Sequence, residues 1–238
     1  MFKETFARSV LKATSYRLLG TLQTTVIVYF VSGDMKLSMM AGTADLFGKI
    51  ILYSLHERVW NKITYGKRRI VPRVIWLCGL SGAGKTTIAE KVVAQLRAKN
   101  LPVEYLDGDT IRALFPATGF SKEERIEHIK RVGLLASSLE KNNVFVVVAL
   151  ITPFEEARKF VKKLCKNFIL TYVKAPLEIC EKRDVKGLYK KARAGEIKNF
   201  TGIDSPFEEP LEADLVLDTS ELDLTMCTNL VLKKIGKI

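Results

Sequence analysis

A doubly wound α/β P-loop fold, preceded by an N-terminal helical hairpin, is the architecture this sequence predicts. Three observations predict it. Short apolar runs alternate with amphipathic helical stretches after residue 72, a glycine-rich loop joins the first of those runs to the next helical stretch, and residues 1–66 hold two long apolar segments bracketed by lysine and arginine. Strand–helix alternation gives a parallel sheet covered by helices on both faces.

The hairpin comes first. One apolar run spans Leu18 to Val31 and a second spans Leu37 to Leu55, with Ser32-Gly33-Asp34-Met35-Lys36 as the turn between them. Crossing a bilayer takes about 20 mainly apolar residues. The first run is short for that and rich in threonine. The second is long enough but carries Asp45 and Lys49, which are four apart and share a helix face where they can pair. Lys3, Arg8, Lys12 and Arg17 precede the hairpin, and Arg58, Lys62, Lys67, Arg68 and Arg69 follow it. By the positive-inside rule both ends stay in the cytoplasm. A signal peptide fits less well, because no small-residue cleavage site precedes the following domain. The reading is therefore a transmembrane hairpin at the inner, cytoplasmic membrane, with a buried or oligomer-forming hairpin as the alternative. Residues 67–72 read as a basic linker and 73–238 as the second domain.

Composition supports a folded chain rather than a disordered one. The net charge of +12 over 238 residues points to anionic partners, and residues 1–70 carry +7 of it. Cys78, Cys165, Cys180 and Cys227 show no C-x-x-C spacing and read as reduced, buried thiols. Two histidines, His56 and His128, are too few for a histidine-based metal site.

Within the second domain the strands are expected at Val74–Leu77, Val103–Leu106, Val144–Leu150, Phe168–Val173 and Leu215–Leu217. The first runs into Gly79-x-x-x-x-Gly84-Lys85-Thr86, which opens a helix. Glycines let backbone N–H groups turn inward around phosphate oxygens, and the helix N-terminus favours the negative charge. Gly79, Ser81, Gly82, Ala83, Gly84, Lys85, Thr86 and Thr87 are thus the expected ATP-binding residues. Lys85 reaches the terminal phosphates and the Thr86 hydroxyl ligates Mg²⁺. No N-K-x-D occurs, which argues against a switch GTPase, and "VFVVVAL" ends without the acidic residue of many P-loop ATPases.

An acidic pair follows the second strand in "YLDGDTIR". Asp109 there can orient Mg²⁺, accept a proton from an attacking hydroxyl, or simply cap the next helix. Further on, Ser121-x-x-Glu124 forms a capping box, and Ile129, Val132, Ala136 and Leu139 recur at helical spacing. Followed backwards, that stripe meets His128 and Arg125 at the sheet's ligand-binding edge. Arg125 can fork onto a phosphate or sulfate. Phe120 offers either an aromatic wall or a hydrophobic staple, and His128 reads as a wall residue rather than a base. "KGLYKKARAGEIKNF" concentrates Lys186, Lys190, Lys191, Arg193 and Lys198. It reads as a cationic lid that neutralises charge during phosphoryl transfer, with Phe200 stacking on a base; a solvated basic helix is the alternative.

Residues 73–219 resemble the adenylylsulfate kinase family, on the motifs GLSGAGKTT, LDGDTIR, GFSKEER, CEKRDVKGLYKKARAGEIKNFTGIDSPFE and LVLDT. The resemblance implies ATP-dependent phosphorylation of the 3′-hydroxyl of adenosine 5′-phosphosulfate, with Mg²⁺, ATP as co-substrate and no nucleic-acid partner. It implies catalytic roles for Lys85, Asp109 and Thr152. Asp109, Arg112, Phe120, Arg125, His128, Ile151, Thr152, Lys186, Asn199 and Phe200 would bind the acceptor, with the two phenylalanines sandwiching its adenine. A homodimer is a further expectation. Alternatives are a kinase for another nucleotide or small metabolite, and a non-catalytic membrane-bound nucleotide scaffold. The chain departs from the common pattern at His128, where the family usually has Asn, and at Thr152, where it has Ser. The segment from Arg112 to Phe120 is also about one residue shorter. Residues 7–66, through "RSVLKATSYRLLGT" and "HERVWNKI", resemble a small predicted bacterial membrane domain of unassigned role.

Overall fold

The computed structural model describes residues 2–4, 6–31, 35–63, 65, 67–114 and 119–236, without the side chains of 2–4, 17, 21, 22, 25, 26, 29, 31, 35–47, 50 and 67–69. The chain divides into two units, Met1–Ile70 and Val71–Ile238.

The first unit is a helical hairpin closed by a small ribbon. Strand β1 (Phe2–Glu4) is followed by α1 (Phe6–Val31) and α2 (Met35–Lys62), and β2 (Lys67–Arg69) pairs antiparallel with β1. Residues 67–69 are thus a strand rather than the linker read from the sequence, because β1 supplies partners for their backbone groups. Both helices run past the apolar segments and take in the polar flanks. Arg8, read from the sequence as a membrane-flanking cation, is fully buried. It donates to the carbonyls of Trp60, Ile63 and Tyr65 at 2.5–2.9 Å and lies 5.1 Å from the centre of the Trp60 ring. A cation there satisfies carbonyls that the end of α2 leaves open. Lys12 pairs with Glu57 at 2.8 Å, so it too is an internal contact of the hairpin. Among the described residues no helix is long and apolar enough to cross a membrane. The apolar run of α1 is interrupted by Gly20, Thr21, Gln23, Thr24 and Thr25. The side chain of Asp45, the expected partner of Lys49, lies outside the described residues.

The second unit is built on β3 (Val74–Cys78), β4 (Val103–Asp107), β5 (Phe145–Ala149), β6 (Phe168–Lys174) and β7 (Leu215–Asp218), all parallel, in the order β4-β5-β3-β6-β7. The central β3 and β5 are buried at every position. That is why VIWLC and FVVVA are apolar without alternation. The edge strand β4 is only partly covered, burying Val103 and Leu106 and exposing Glu104. Helix α3 (Lys85–Ala98) packs on β4, β5 and α9 (Leu224–Ile235), while α5 (Lys122–Lys141) packs on β3, β5 and α6 (Glu155–Leu164). The short helices are α4 (Gly108–Ala113), α7 (Leu177–Arg183) and α8 (Leu188–Arg193). All four cysteines are buried free thiols.

Successive strands fill opposite sides of β3, which creates a switch point at its C-terminal end. A crevice opens there in sheets of this kind. The turns after β3, β4, β5 and β7 all reach it.

Candidate active site

The turn after β3 is shaped by glycines at φ of 146° (Gly79), 74° (Gly82) and 97° (Gly84). A Cβ on Gly79 would stand 2.2 Å from the Val173 carbonyl oxygen, so no side chain fits. Gly79 and Ala83 shape the loop without facing the cavity, whereas Ser81, Gly82, Gly84, Lys85, Thr86 and Thr87 line it. Thr219, at the end of β7, donates its hydroxyl to the Ala83 carbonyl at 2.9 Å and accepts from Arg183 at the same distance. Tyr189 of α8 donates to the Ser81 carbonyl at 3.0 Å. The loop is therefore held from two sides. Lys85 is buried and donates to the Leu80 carbonyl at 2.7 Å. Burial lowers its pKa to about 8.

After β4, Asp107 and not Asp109 caps the helix. Its carboxylate accepts from the backbone N–H groups of Asp109 and Thr110 at 3.0 and 3.1 Å. The Asp109 carboxylate is left projecting, and it forms an ion pair with Lys186, which reaches it from the segment between α7 and α8. Tyr105 donates to Asp107 at 3.2 Å. Thr86, Asp107 and Asp109 all line the cavity. Among the described residues no group of three or more acidic, histidine or cysteine side chains could hold a metal. A hydroxyl beside one or two carboxylates fits Mg²⁺, which keeps several waters and takes phosphate oxygens for the rest of its shell.

The opposite wall belongs to α5. Ser121 caps it and Glu124 closes the capping box. Arg125 then lies in the first turn with three partners: the Phe120 carbonyl at 2.9 Å, the Thr201 hydroxyl at 2.8 Å and the Asn199 carbonyl at 2.5 Å. Asn199 contributes that backbone carbonyl and does not line the cavity. Arg112 stacks on Phe120 at 4.4 Å from the ring centre and donates to the Gly119 carbonyl. Phe120 is half exposed, ready to cover a ring, while Phe200 is buried edge-on against Tyr189 at 5.0 Å. His128 is buried in the same wall. Burial, together with the charges of Arg112 and Arg131, holds its pKa down near 4. At neutral pH it is an uncharged wall group, as the sequence suggests. Residues 115–118 of the shortened segment lie outside the described residues.

After β5, Ile151, Thr152 and Pro153 complete the cavity. Thr152 has φ +47°, a conformation that costs a β-branched residue about 1–3 kcal/mol. Its hydroxyl is already engaged, accepting from the Trp76 indole at 2.9 Å. That contact turns the hydroxyl toward the core.

The basic stretch is sorted by the fold. Lys186 and Lys198 line the cavity; Lys190, Lys191 and Arg193 do not. Arg193 instead pairs with Glu181, and the N–H groups of Tyr189 and Lys190 cap onto the Asp184 carboxylate. A six-residue helix can bury only part of its surface, and α8 buries Tyr189 and Ala192. Sequence reading missed Arg183, Thr219, Leu222, Leu224 and Cys227, which line the cavity beside the phosphate loop. Arg183 and Thr219 stood within the motifs CEKRD and LVLDT, but nothing in their spacing shows that they meet.

The groups that face inward bound one cavity of about 820 Å³. Residues 71–218 match the sequence model of a family described as adenylylsulphate kinase. The chain belongs to the adenylylsulphate kinase family. The adenylyl-sulfate kinase of a Synechococcus species is 49% identical over 162 residues, which span 68% of this chain and 93% of that protein. The adenylyl-sulfate kinase of Gloeothece citriformis is 48% identical over 165 residues, spanning 69% and 94%. Among solved structures, the APS kinase of Mycobacterium tuberculosis in complex with AMPPNP and APS is similar at TM-score 0.68 and 35% identity. It covers 71% of this chain and 100% of that one. Residues 10–61 match a second model, described as a predicted membrane protein (DUF2061). His128 lines the cavity from α5 and Thr152 from the turn after β5.

Proposed function

We propose that this chain transfers the γ-phosphoryl group of ATP to the 3′-hydroxyl of adenosine 5′-phosphosulfate, giving 3′-phosphoadenosine 5′-phosphosulfate. The observation that carries this is the single cavity with a phosphate loop on one wall and Asp109, Arg112, Phe120 and Arg125 on the other. Its volume lies toward the upper end of the range for small-molecule pockets, which suits two substrates side by side.

Transfer requires the acceptor oxygen, the γ-phosphorus and the leaving oxygen to lie in line, so positioning and charge stabilisation supply most of the rate. The new O–P bond forms at the 3′-oxygen, the bond to the ADP leaving oxygen breaks, and the hydroxyl proton departs. Asp109 is the carboxylate placed to take that proton or to orient the cation. The turned-in N–H groups of the loop and Lys85 hold the β- and γ-phosphates. Lys186, Arg112 and Arg125 hold the acceptor's charged end, and Phe120 with Phe200 bracket its adenine. Mg²⁺, held by Thr86 and the neighbouring carboxylates, would neutralise charge between the β- and γ-phosphates.

The full chain, given ATP, Mg²⁺ and adenosine 5′-phosphosulfate, is expected to form the 3′-phosphorylated product. Adenosine 5′-monophosphate and other nucleotide alcohols should fail to compete for the acceptor side at equal concentration. Preferential turnover of another alcohol would move the assignment to a different acceptor.

We further infer that residues 1–66 hold the kinase at the cytoplasmic face of the inner membrane. The match of residues 10–61 supports this, as do the exposed Leu18, Val28, Phe30, Ile51 and Leu55. The full chain should sediment with membranes after cell disruption; recovery in the soluble fraction would sink the idea.

A further inference from the structure

We infer that Trp76 is a positioning residue for the acceptor side of this site, acting through Thr152; the inference rests on the activity proposed above. Trp76 stands in the middle of β3, 1% exposed, in register with Val148 on one side and Leu170 on the other. A buried indole needs a partner for its N–H. It finds one in the Thr152 hydroxyl at 2.9 Å, across 76 residues of sequence.

Thr152 belongs to a segment fixed carbonyl by carbonyl. The Ile151 oxygen accepts from the Gly79 N–H at 3.2 Å, which ties the acceptor wall to the start of the phosphate loop. The Thr152 oxygen accepts from Arg158 at 2.8 Å, and the Pro153 oxygen from the Glu208 N–H at 2.8 Å. Arg158 is itself buried and locked, donating to Glu155 and to the Glu208 carbonyl. With its backbone held in this way, Thr152 sits at φ +47°. A β-branched residue stays in that region only where its surroundings over-determine it. The side-chain hydroxyl is the remaining degree of freedom, and Trp76 takes it. Ile151, Thr152 and Pro153 all line the cavity, and the buried Thr152 hydroxyl is turned to Trp76. Phosphate loop and acceptor wall are thus registered to each other through one strand: Trp76 lies three residues before Gly79.

Trp76→Phe removes the donor and keeps a ring of similar shape. In the full chain it should raise KM for adenosine 5′-phosphosulfate about tenfold, the effect of one lost buried hydrogen bond, and leave KM for ATP within about twofold. Thr152→Val should do the same. Thr152→Ser, which keeps the hydroxyl, should hold the acceptor KM near the wild-type value. Combining Trp76→Phe with Thr152→Val should cost no more than either alone. An unchanged acceptor KM in Trp76→Phe, equal rises in both KM values, or additive losses in the double variant would each overturn the proposal. Slow exchange of the Trp76 indole proton, abolished in Thr152→Val, reads the contact without any substrate. Wild type that makes no product refutes the acceptor assignment. In that case rapid indole exchange in wild type would refute the contact as well, and slow exchange would uphold it.

Discussion

Lys85→Met should lower kcat about 10²- to 10³-fold and at the same time raise the melting temperature of the ligand-free chain. The loss follows from position: Lys85 opens α3 beside the loop N–H groups, and one fixed donor at a developing charge is worth about that factor in rate. The gain follows from burial. With no phosphate present the ammonium has, among the described residues, only the Leu80 carbonyl as its partner, and burial takes its pKa from 10.5 down to about 8. The sign is fixed by proton count. Between about pH 8 and 10.5 the unfolded chain binds a proton at Lys85 that the folded chain has released, so stability rises with pH through that window. Below it the folded chain carries a penalty on the order of 3 kcal/mol, part of which Met removes. Calorimetry from pH 7 to 10 beside steady-state kinetics tests both halves. A variant that is less stable, with activity lost only in proportion to unfolding, would show that Lys85 serves the fold.

Asp109→Asn should reduce kcat about 10²- to 10⁴-fold, the range for a proton-accepting carboxylate, with the melting temperature nearly unchanged. Stability is spared because Asp107 does the capping, and because the Asp109–Lys186 pair is exposed and such pairs contribute little. A magnesium titration separates the two roles. If Asp109 orients the cation, raising Mg²⁺ recovers much of the rate. If it accepts the proton, no concentration does. Full activity in the Asn variant would remove Asp109 from the chemistry.

Much of the site was legible because its signals are local. The phosphate loop needs glycines at fixed spacing between a strand and a helix, and the sequence states both. The capping box at Ser121 and Glu124 and the stripe from Arg125 to Leu139 are likewise four-residue and helical-period relations, and they put Arg125 and His128 on one helix that lines the cavity. The motifs of the lid also identified the family, which the match over residues 71–218 bears out.

Long-range choices were not legible. Which aspartate caps α4 depends on backbone torsion at Asp107, so spacing alone left Asp109 with a role that its neighbour holds. Five cations in one short stretch look equivalent in sequence, yet only the folded course of the chain from α7 through α8 decides that Lys186 meets Asp109 while Arg193 meets Glu181. Arg8 looks like a flanking charge until the return of α2 brings three carbonyls around it. The parallel sheet, the phosphate loop and the family could all be read along the chain, because apolar period, glycine spacing and caps act over a few residues. Folding in three dimensions was needed to give the Thr152 hydroxyl to Trp76, to clasp the loop between Thr219 and Tyr189, and to choose which cations face the cavity. Those contacts join residues tens of positions apart, and a pairing of that kind exists only once the sheet has brought its strand ends to one edge.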